Sequence, residues 1–170
     1  GENTFNFDYI ESFTFEEGTK TVFKGILKNN SNIKSIYIPD SVTSIEFGAF
    51  MCCYNLSSVR MSENVENIDG YAFSDCESLT AIKIPNTVKT GGNYIFENSG
   101  VKNVTLEYGL TELFDYMFSE CKNLESITLP DSLKKMGRAC FSKCTSLKTI
   151  TIPASVTESE YPFSESGLTS

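Results

Sequence analysis

The hydrophobic positions along the chain recur with a period of about 23 residues. In each period three apolar residues follow the spacing apolar-x-x-apolar-x-apolar, as in Ile33-Ile36-Ile38. Seven copies begin at Ile10, Ile33, Leu56, Leu79, Val101, Leu124 and Leu147, and Leu168 opens an incomplete eighth. The alternation at the end of the pattern predicts one short β-strand per unit. Because a unit of this size cannot bury its own apolar face, we expect the units to stack into a continuous core.

Three further positions recur after each predicted strand. Four units end the strand with Pro, then a small polar stretch and an apolar residue, as in residues 39–42. Pro lacks an N–H group and therefore ends a ladder of hydrogen bonds. An aromatic position follows, filled by Phe50, Phe73, Phe96, Phe118, Phe141 and Phe163, with Leu27 in the first unit. Three residues later comes a small group: Asn30, Cys53, Cys76, Ser99, Cys121, Cys144 and Ser166. We predict that the aromatic residues form a spine along the core.

The combined motif resembles a known repeat family. The pattern L-x-x-I-x-I-P-x-S-V-x-x-I-x-x-x-A-F-x-x-C-x-x-L, clear in residues 33–56 and 124–147, is similar to the BspA-like leucine-rich repeats of bacterial and protist surface proteins. The resemblance covers roughly residues 10–168. It implies an α/β repeat solenoid: a right-handed leucine-rich-repeat horseshoe with a parallel β-sheet on its concave face and mostly loops and short turns on its convex face. It also implies adhesion or protein binding at an extracellular or cell-surface location.

The two ends of the chain depart from the repeat. Residues 4–10 alternate apolar and polar side chains but lie out of register with the later aromatic positions, which predicts a capping strand. We therefore divide the chain into an N-terminal capping strand, residues 1–9, and a repeat domain, residues 10–170. The first residue is Gly1 rather than Met, which suggests a mature region whose leader was removed. The incomplete last unit suggests a longer native chain, or an exposed edge open to self-association.

Composition narrows the range of functions. The 170 residues carry 14 Lys and Arg against 22 Asp and Glu, a net charge of −8, which disfavours nucleic-acid and anionic-membrane partners. The sequence has no His, so a Ser-His-Asp or Cys-His nucleophile and a His-ligated zinc are excluded. No apolar run approaches the ~18–20 residues of a membrane-spanning helix. We predict a protein that is not an enzyme, holds no cofactor or metal, and does not insert into a membrane.

The cysteines and acidic residues have structural explanations within the repeat. Four of the six cysteines share the small-residue position with Asn and Ser, which predicts packing rather than metal binding, and Cys140 occupies an Ala position. The counterparts of Cys52 are Asp75 and Lys143, so we predict that Cys52 is the exposed thiol and the candidate for reaction. An acidic position after the strands suits a catalytic carboxylate pair or weak calcium binding, but a solvated turn explains it better. Gly91-Gly92 predicts a loosened turn.

The outward positions of the strands contain the candidate binding residues. The outward row reads Thr14, Tyr37, Arg60, Lys83, Thr105, Thr128 and Thr151. Tyr37, Arg60 and Lys83 fall on three consecutive strands, and Tyr and Arg are typical anchors of protein interfaces. The strand-entry position adds Lys34 and Lys102 and gives the face a local charge of +3 on an otherwise acidic body. We predict that these five residues form a ligand-binding face, although strand packing and solubility favour the same residue types.

The sequence is consistent with two functions of different classes. The first is a secreted or cell-surface module that recognises a host or matrix protein, or a glycan, through the concave face. The second is a structural spacer in a longer multidomain surface protein, favoured by the uniform Ser and Thr positions along the face.

Overall fold

A computed structural model describes residues 9–168, so the predicted capping strand, residues 1–9, lies outside the described residues except for Tyr9. The first of three hydrogen-bonded sides is built from the predicted strands. These are β1 (Ser12–Thr14), β3 (Ser35–Tyr37), β5 (Ser58–Arg60), β7 (Ala81–Ile84) and β9 (Asn103–Leu106). All pairs among them are parallel and one unit apart, as in Phe13 beside Ile36. Their inward apolar residues enter the core, which confirms the predicted strands in these five units.

A second side, which the sequence pattern did not predict, carries another row of parallel strands. These are β2 (Thr21–Val22), β4 (Ser44–Ile45), β6 (Asn67–Ile68), β8 (Thr90–Gly91), β10 (Glu112–Leu113), β11 (Lys135–Met136) and β12 (Glu158–Ser159). Each has only two residues, which is too short for an alternation to be visible in the sequence. Five of the seven bury an apolar side chain in the core at the second position: Val22, Ile45, Ile68, Leu113 and Met136.

The third side is a ladder of hydrogen bonds without regular strands. Here the N–H of Tyr71, Phe73 and Asp75 donates to carbonyls of the next unit at 3.1, 2.8 and 2.9 Å. Two positions per unit have a positive φ, and residues of many types fill them. The first set is Gly25, Gly48, Tyr71, Tyr94, Tyr116, Ala139 and Tyr161, and the second is Asn29, Cys52, Asp75, Asn98, Glu120, Lys143 and Glu165. Because of the residues with positive φ, alternate N–H groups point toward the next unit. The units are therefore joined by backbone hydrogen bonds on this side too.

The aromatic spine of the core is confirmed. Phe50, Phe73, Phe96, Phe118 and Phe141 are fully buried, and from Phe73 onward neighbouring rings stack with centroids 5.3–5.8 Å apart. The small-residue position, three residues after each spine residue, lies next to the backbone of the spine. The thiols of Cys53, Cys76, Cys121 and Cys144 each donate to the carbonyl of the spine residue one unit earlier, at 3.1–3.4 Å. Burial raises the pKa of Cys53 and Cys121 to about 12, so these groups are packed thiols.

The predicted fold class is confirmed only in part: the parallel strands and the solenoid are present. Between residues 9 and 168 every regular element is a strand, so the structure is a parallel-strand β-solenoid of about six turns and the α/β class is not confirmed. The horseshoe is not confirmed either. A concave face holds its strands closest together, yet the first side breaks between β5 and β7, and residues 125–130 and 149–152 join neither neighbour by backbone hydrogen bonds. We therefore call this surface the first-side face.

The glycine pair at residues 91–92 marks a break in the second side. The ring of Phe114 occupies the space that a Cβ at Gly91 would take, and a Cβ at Gly92 would overlap the backbone of Gly70. The second-side strands pair from β2 to β8 and again from β10 to β12, but β8 and β10 do not pair. The predicted loosened turn is therefore an interruption of the ladder, filled by an aromatic ring from the next unit.

Candidate functional site

The structure brings Tyr37 and Arg60 together on the first-side face. The two residues are direct partners in the pairing of β3 with β5, so their side chains leave the same face one strand apart. The Arg60 guanidinium lies 5.0 Å from the centre of the Tyr37 ring, within the range of a cation–π contact. Tyr37 nevertheless remains 39% exposed, so the pair is open to a partner.

The position of Arg60 is fixed by groups at the end of the preceding strand. Its two terminal nitrogens donate to the two carboxylate oxygens of Asp40 at 2.6 and 2.8 Å, and one of them also donates to the Ile38 carbonyl at 2.8 Å. The N–H of Glu63 donates to the same Asp40 carboxylate at 2.8 Å. This forked geometry holds the guanidinium in one orientation over the ring.

Lys83 lies on the same face but in a different environment. Its strand, β7, does not pair with β5, so Lys83 is not in register contact with Arg60. The ammonium group makes ion pairs with Glu63 at 2.8 Å and Glu107 at 2.6 Å. The hydrogen bonds to Glu107 and then Glu63 raise the pKa of Lys83, and the bond from Lys83 lowers the pKa of Glu107. Lys83 therefore bridges two acidic residues rather than extending the Tyr37–Arg60 pair.

The two remaining predicted residues, Lys34 and Lys102, differ in their ion pairing. Lys34 pairs with Glu11 at 2.8 Å, with both side chains more than half exposed. Lys102 is exposed and, among residues 9–168, has no ion pair within 4.0 Å. When Asp40, Glu63 and Glu107 are counted as part of the first-side face, their three negative charges balance the net charge of +3 that the strand positions alone predict for it. This neutralisation does not follow from the strand positions alone, because the acidic side chains belong to turn residues that reach back over the strands.

The Asp40 carboxyl gives a direct test of this arrangement by pH titration. Its hydrogen bond from Arg60, and next the one from the Glu63 N–H, lower the pKa of Asp40 from 3.8 to about 2. Because the folded-state pKa lies below the unfolded one, the stabilisation is fully present above about pH 4 and is lost as the pH falls toward 2. We expect the carboxyl carbon of Asp40 to titrate near pH 2 by NMR. In Arg60→Gln the midpoint should move up toward 3.8, whereas Lys102→Gln should leave it unchanged. An Asp40 midpoint near 3.8 in the wild type would contradict the pairing.

Cys52 is less exposed than the sequence pattern predicted. It is half-buried with a positive φ of 59°, on the third side. Its thiol lies 3.7 Å from a carboxylate oxygen of Asp75, and a hydrogen bond with the Cys52 side chain raises the pKa of Tyr54. The other five cysteines are buried, as predicted, so Cys52 is the most accessible of the six.

A row of tyrosines on the third side was not singled out from the sequence. Tyr71, Tyr94 and Tyr116 stack with ring centres 5.0 and 4.5 Å apart, and Phe47 contacts the first of them at 5.5 Å. All three tyrosines are half-buried. Burial, with the nearby phenols of Tyr116 and Tyr71, raises the pKa of Tyr94. The sequence does show these tyrosines one unit apart. They were not singled out because the pattern predicted no hydrogen-bond ladder in this part of the unit.

Two other features, a metal-binding cluster and a membrane-spanning helix, are absent from the described part of the chain. No group of three or more His, Cys, Asp or Glu side chains is arranged to hold a metal ion there. No helix with the length and apolar character needed to cross a membrane is found in the same range.

The stacked parallel units, the stacked Phe residues and the open sheet face define a leucine-rich-repeat solenoid. A family model for the BspA type leucine rich repeat region matches residues 1–124 and 43–169, with six copies. The chain belongs to this family, as the sequence motif indicated. No curated protein matches the chain.

Solved structures of bacterial leucine-rich repeat proteins share the fold. A leucine-rich repeat protein from Bacteroides ovatus is 25% identical over 88% of this chain and 45% of its own, with a TM-score of 0.65. A leucine rich cell surface protein from Faecalibacterium prausnitzii is 22% identical over 95% and 60%, with a TM-score of 0.55. The T. pallidum leucine rich repeat protein is 19% identical over 89% and 69%, with a TM-score of 0.59. This chain therefore spans less than two thirds of the length of the first two proteins.

Proposed function

We propose that this chain is a non-catalytic module of a secreted or cell-surface protein and that it binds a partner protein through the first-side face. The observation that carries the proposal is the Tyr37–Arg60 pair, in which an exposed ring and a guanidinium are held in a fixed relative position. Tyr and Arg contribute disproportionately to protein interfaces, and side chains already ordered before binding lose less entropy on association.

The family and the neighbouring structures support the location. The chain belongs to a repeat family, and one protein of the same fold is described as a cell surface protein. Another, the pneumococcal vaccine antigen PcpA, is 19% identical over 87% of this chain and 52% of its own, with a TM-score of 0.56. At these identities the likeness concerns the fold, and the surface location of this chain is part of the proposal.

Binding to a panel of purified extracellular-matrix proteins and to a glycan array, measured by biolayer interferometry, tests this function. We expect a matrix protein to bind, and the triple variant Tyr37→Ala/Arg60→Ala/Lys83→Ala to bind it at least about tenfold more weakly. The matched control is Thr14→Ala/Thr151→Ala, which alters the same outward row away from the pair. Single variants Lys34→Ala and Lys102→Ala then show whether the strand-entry lysines contribute.

Three results would count against the proposal. Equal affinity of the triple variant and the wild type would remove these residues from the interface. Binding to glycans alone would replace the protein partner with a carbohydrate. Binding to neither panel would favour the spacer function, which is also consistent with the ion pairs that neutralise Arg60, Lys83 and Lys34.

A further inference from the structure

A cleft opens on the first-side face between β9 and the segment that follows it in the next unit. The cleft has a volume of about 610 Å³. Its lining consists of Val104, Thr105, Leu106, Tyr108, Thr128, Leu129, Pro130 and Asp131. It lies two units beyond the Arg60 strand and shares no residue with the Tyr37–Arg60 pair.

One wall of the cleft is the free edge of β9. The N–H groups of Asn103 and Glu107 donate to Thr80 and Ile84 carbonyls on the β7 side, each at 3.1 Å. Because successive N–H groups of a strand point to opposite sides, those of Val104 and Leu106 point into the cleft. No backbone hydrogen bond joins residues 102–107 to residues 125–130, both within the described range. The edge therefore presents alternating donors and acceptors at strand spacing.

The floor of the cleft is apolar and partly open to solvent. In β7 the inward residues Ile82 and Ile84 are 4% and 0% exposed. Their counterparts one unit later, Val104 and Leu106, are half-exposed because the next segment does not close over them. A free strand edge above alternate apolar side chains matches the way extended peptides are recognised by strand addition.

The charge of the cleft indicates the kind of peptide. Asp131 is the one charged residue of the lining, it is exposed, and no cation lies within 4.0 Å of it among residues 9–168. An unpaired carboxylate at the end of an apolar trough complements a Lys or Arg side chain. The N–H and C=O groups of the β9 edge are spaced to pair with another extended backbone, and the hydroxyls of a sugar ring do not match that spacing. A peptide therefore fits the site better than a glycan does.

We propose that this cleft binds an extended peptide segment of a partner protein, which adds a strand to the free edge of β9 and places a basic side chain against Asp131. The lining spans a strand of about four residues, or about 13 Å at 3.3 Å per residue. This site goes beyond the proposed function of the Tyr37–Arg60 pair, and each can fail without the other.

Selection from a displayed random heptapeptide library, panned on the wild type and on two tryptophan variants, tests the site. Thr105→Trp puts a large ring into the mouth of the cleft. Thr14→Trp is the matched control, because it lies in the same outward row where the ladder is intact. We expect the wild type and Thr14→Trp to retain alternating apolar and polar sequences that contain Lys or Arg, and Thr105→Trp to lose them. Melting curves of the two variants establish that both fold.

The geometry of binding is tested on the selected peptides. N-methylation at every second residue of the peptide removes the N–H groups that face β9 and should weaken binding at least tenfold, whereas methylation of the intervening residues should have little effect. Peptide binding should slow amide exchange at Val104 and Leu106 in the wild type, which remains informative if Thr105→Trp does not fold. Asp131→Asn should reduce affinity severalfold, and the control Glu17→Gln, at the equivalent turn position, should not.

The proposal is overturned if the wild type retains no peptide that Thr105→Trp rejects, or if the two N-methylation patterns are equivalent. Unchanged exchange at Val104 and Leu106 on peptide binding would also overturn it. A glycan that binds the wild type and not Thr105→Trp, with no peptide selected, would assign the cleft to carbohydrate instead. Peptide binding that survives Tyr37→Ala/Arg60→Ala/Lys83→Ala would show that the two sites are distinct.

Discussion

Phe96→Ala is expected to lower the free energy of unfolding by about 3–5 kcal/mol. Phe96 is fully buried at the middle of the spine and stacks on Phe73 and Phe118 with ring centres 5.3 and 5.5 Å away. Its carbonyl also accepts the Cys121 thiol at 3.1 Å, so the backbone at this position is fixed and cannot collapse into the cavity. The loss therefore includes both the transfer of the ring and the cavity that remains.

Urea unfolding followed by circular dichroism measures this loss. The control is Tyr108→Ala, which removes an aromatic ring that is 76% exposed and should change stability by less than about 0.5 kcal/mol. Because each unit contacts only its neighbours, a weak central interface should also broaden the transition and lower its apparent slope. An Ala variant as stable as Tyr108→Ala would show that the aromatic residues are not the core of the solenoid.

Gly100→Ala is the second large effect, expected to cost at least about 2 kcal/mol although it adds a single methyl group. Gly100 lies where the unit has lost one residue: Ser99-Gly100-Val101 replaces the longer Cys76-Glu77-Ser78-Leu79 of the preceding unit. The shortened turn draws the backbone inward, and a Cβ at Gly100 would overlap the carbonyl oxygen of Glu77. The overlap is with backbone, which no rotamer change relieves.

Two comparisons isolate this cause. Gly48→Ala, in a left-handed column that Tyr and Ala also fill, meets nothing closer than the Met51 Cβ at 3.6 Å and should cost less. Replacing Gly100 by the pair Glu-Ser restores the length of the preceding unit and should recover most of the stability lost in Gly100→Ala. Equal melting temperatures for Gly100→Ala and Gly48→Ala would contradict the steric explanation.

On the first-side face, some side-chain contacts follow from the repeat period and others do not. The strand period placed Tyr37 beside Arg60 correctly, because register follows directly from the repeat length. It did not predict that Asp40, Glu63 and Glu107 would cancel the positive charge, since those residues are far apart in sequence and meet only when successive turns stack. The exposure of Cys52 was overestimated for the same reason: Asp75, the neighbour of its thiol, belongs to the next unit.

The sequence by itself determined the unit length, the aromatic spine and the buried thiol positions, because units with the same apolar pattern bury those residues by stacking in register. It also determined the family. Only the tertiary structure decided that three sides carry hydrogen bonds, that no helix lies within residues 9–168, and where the ladders break. These features depend on the distance between neighbouring turns of the solenoid. That distance is set by contacts such as Phe114 against Gly91 and by the one-residue deletion at Gly100. The pattern of apolar residues along the sequence does not specify it.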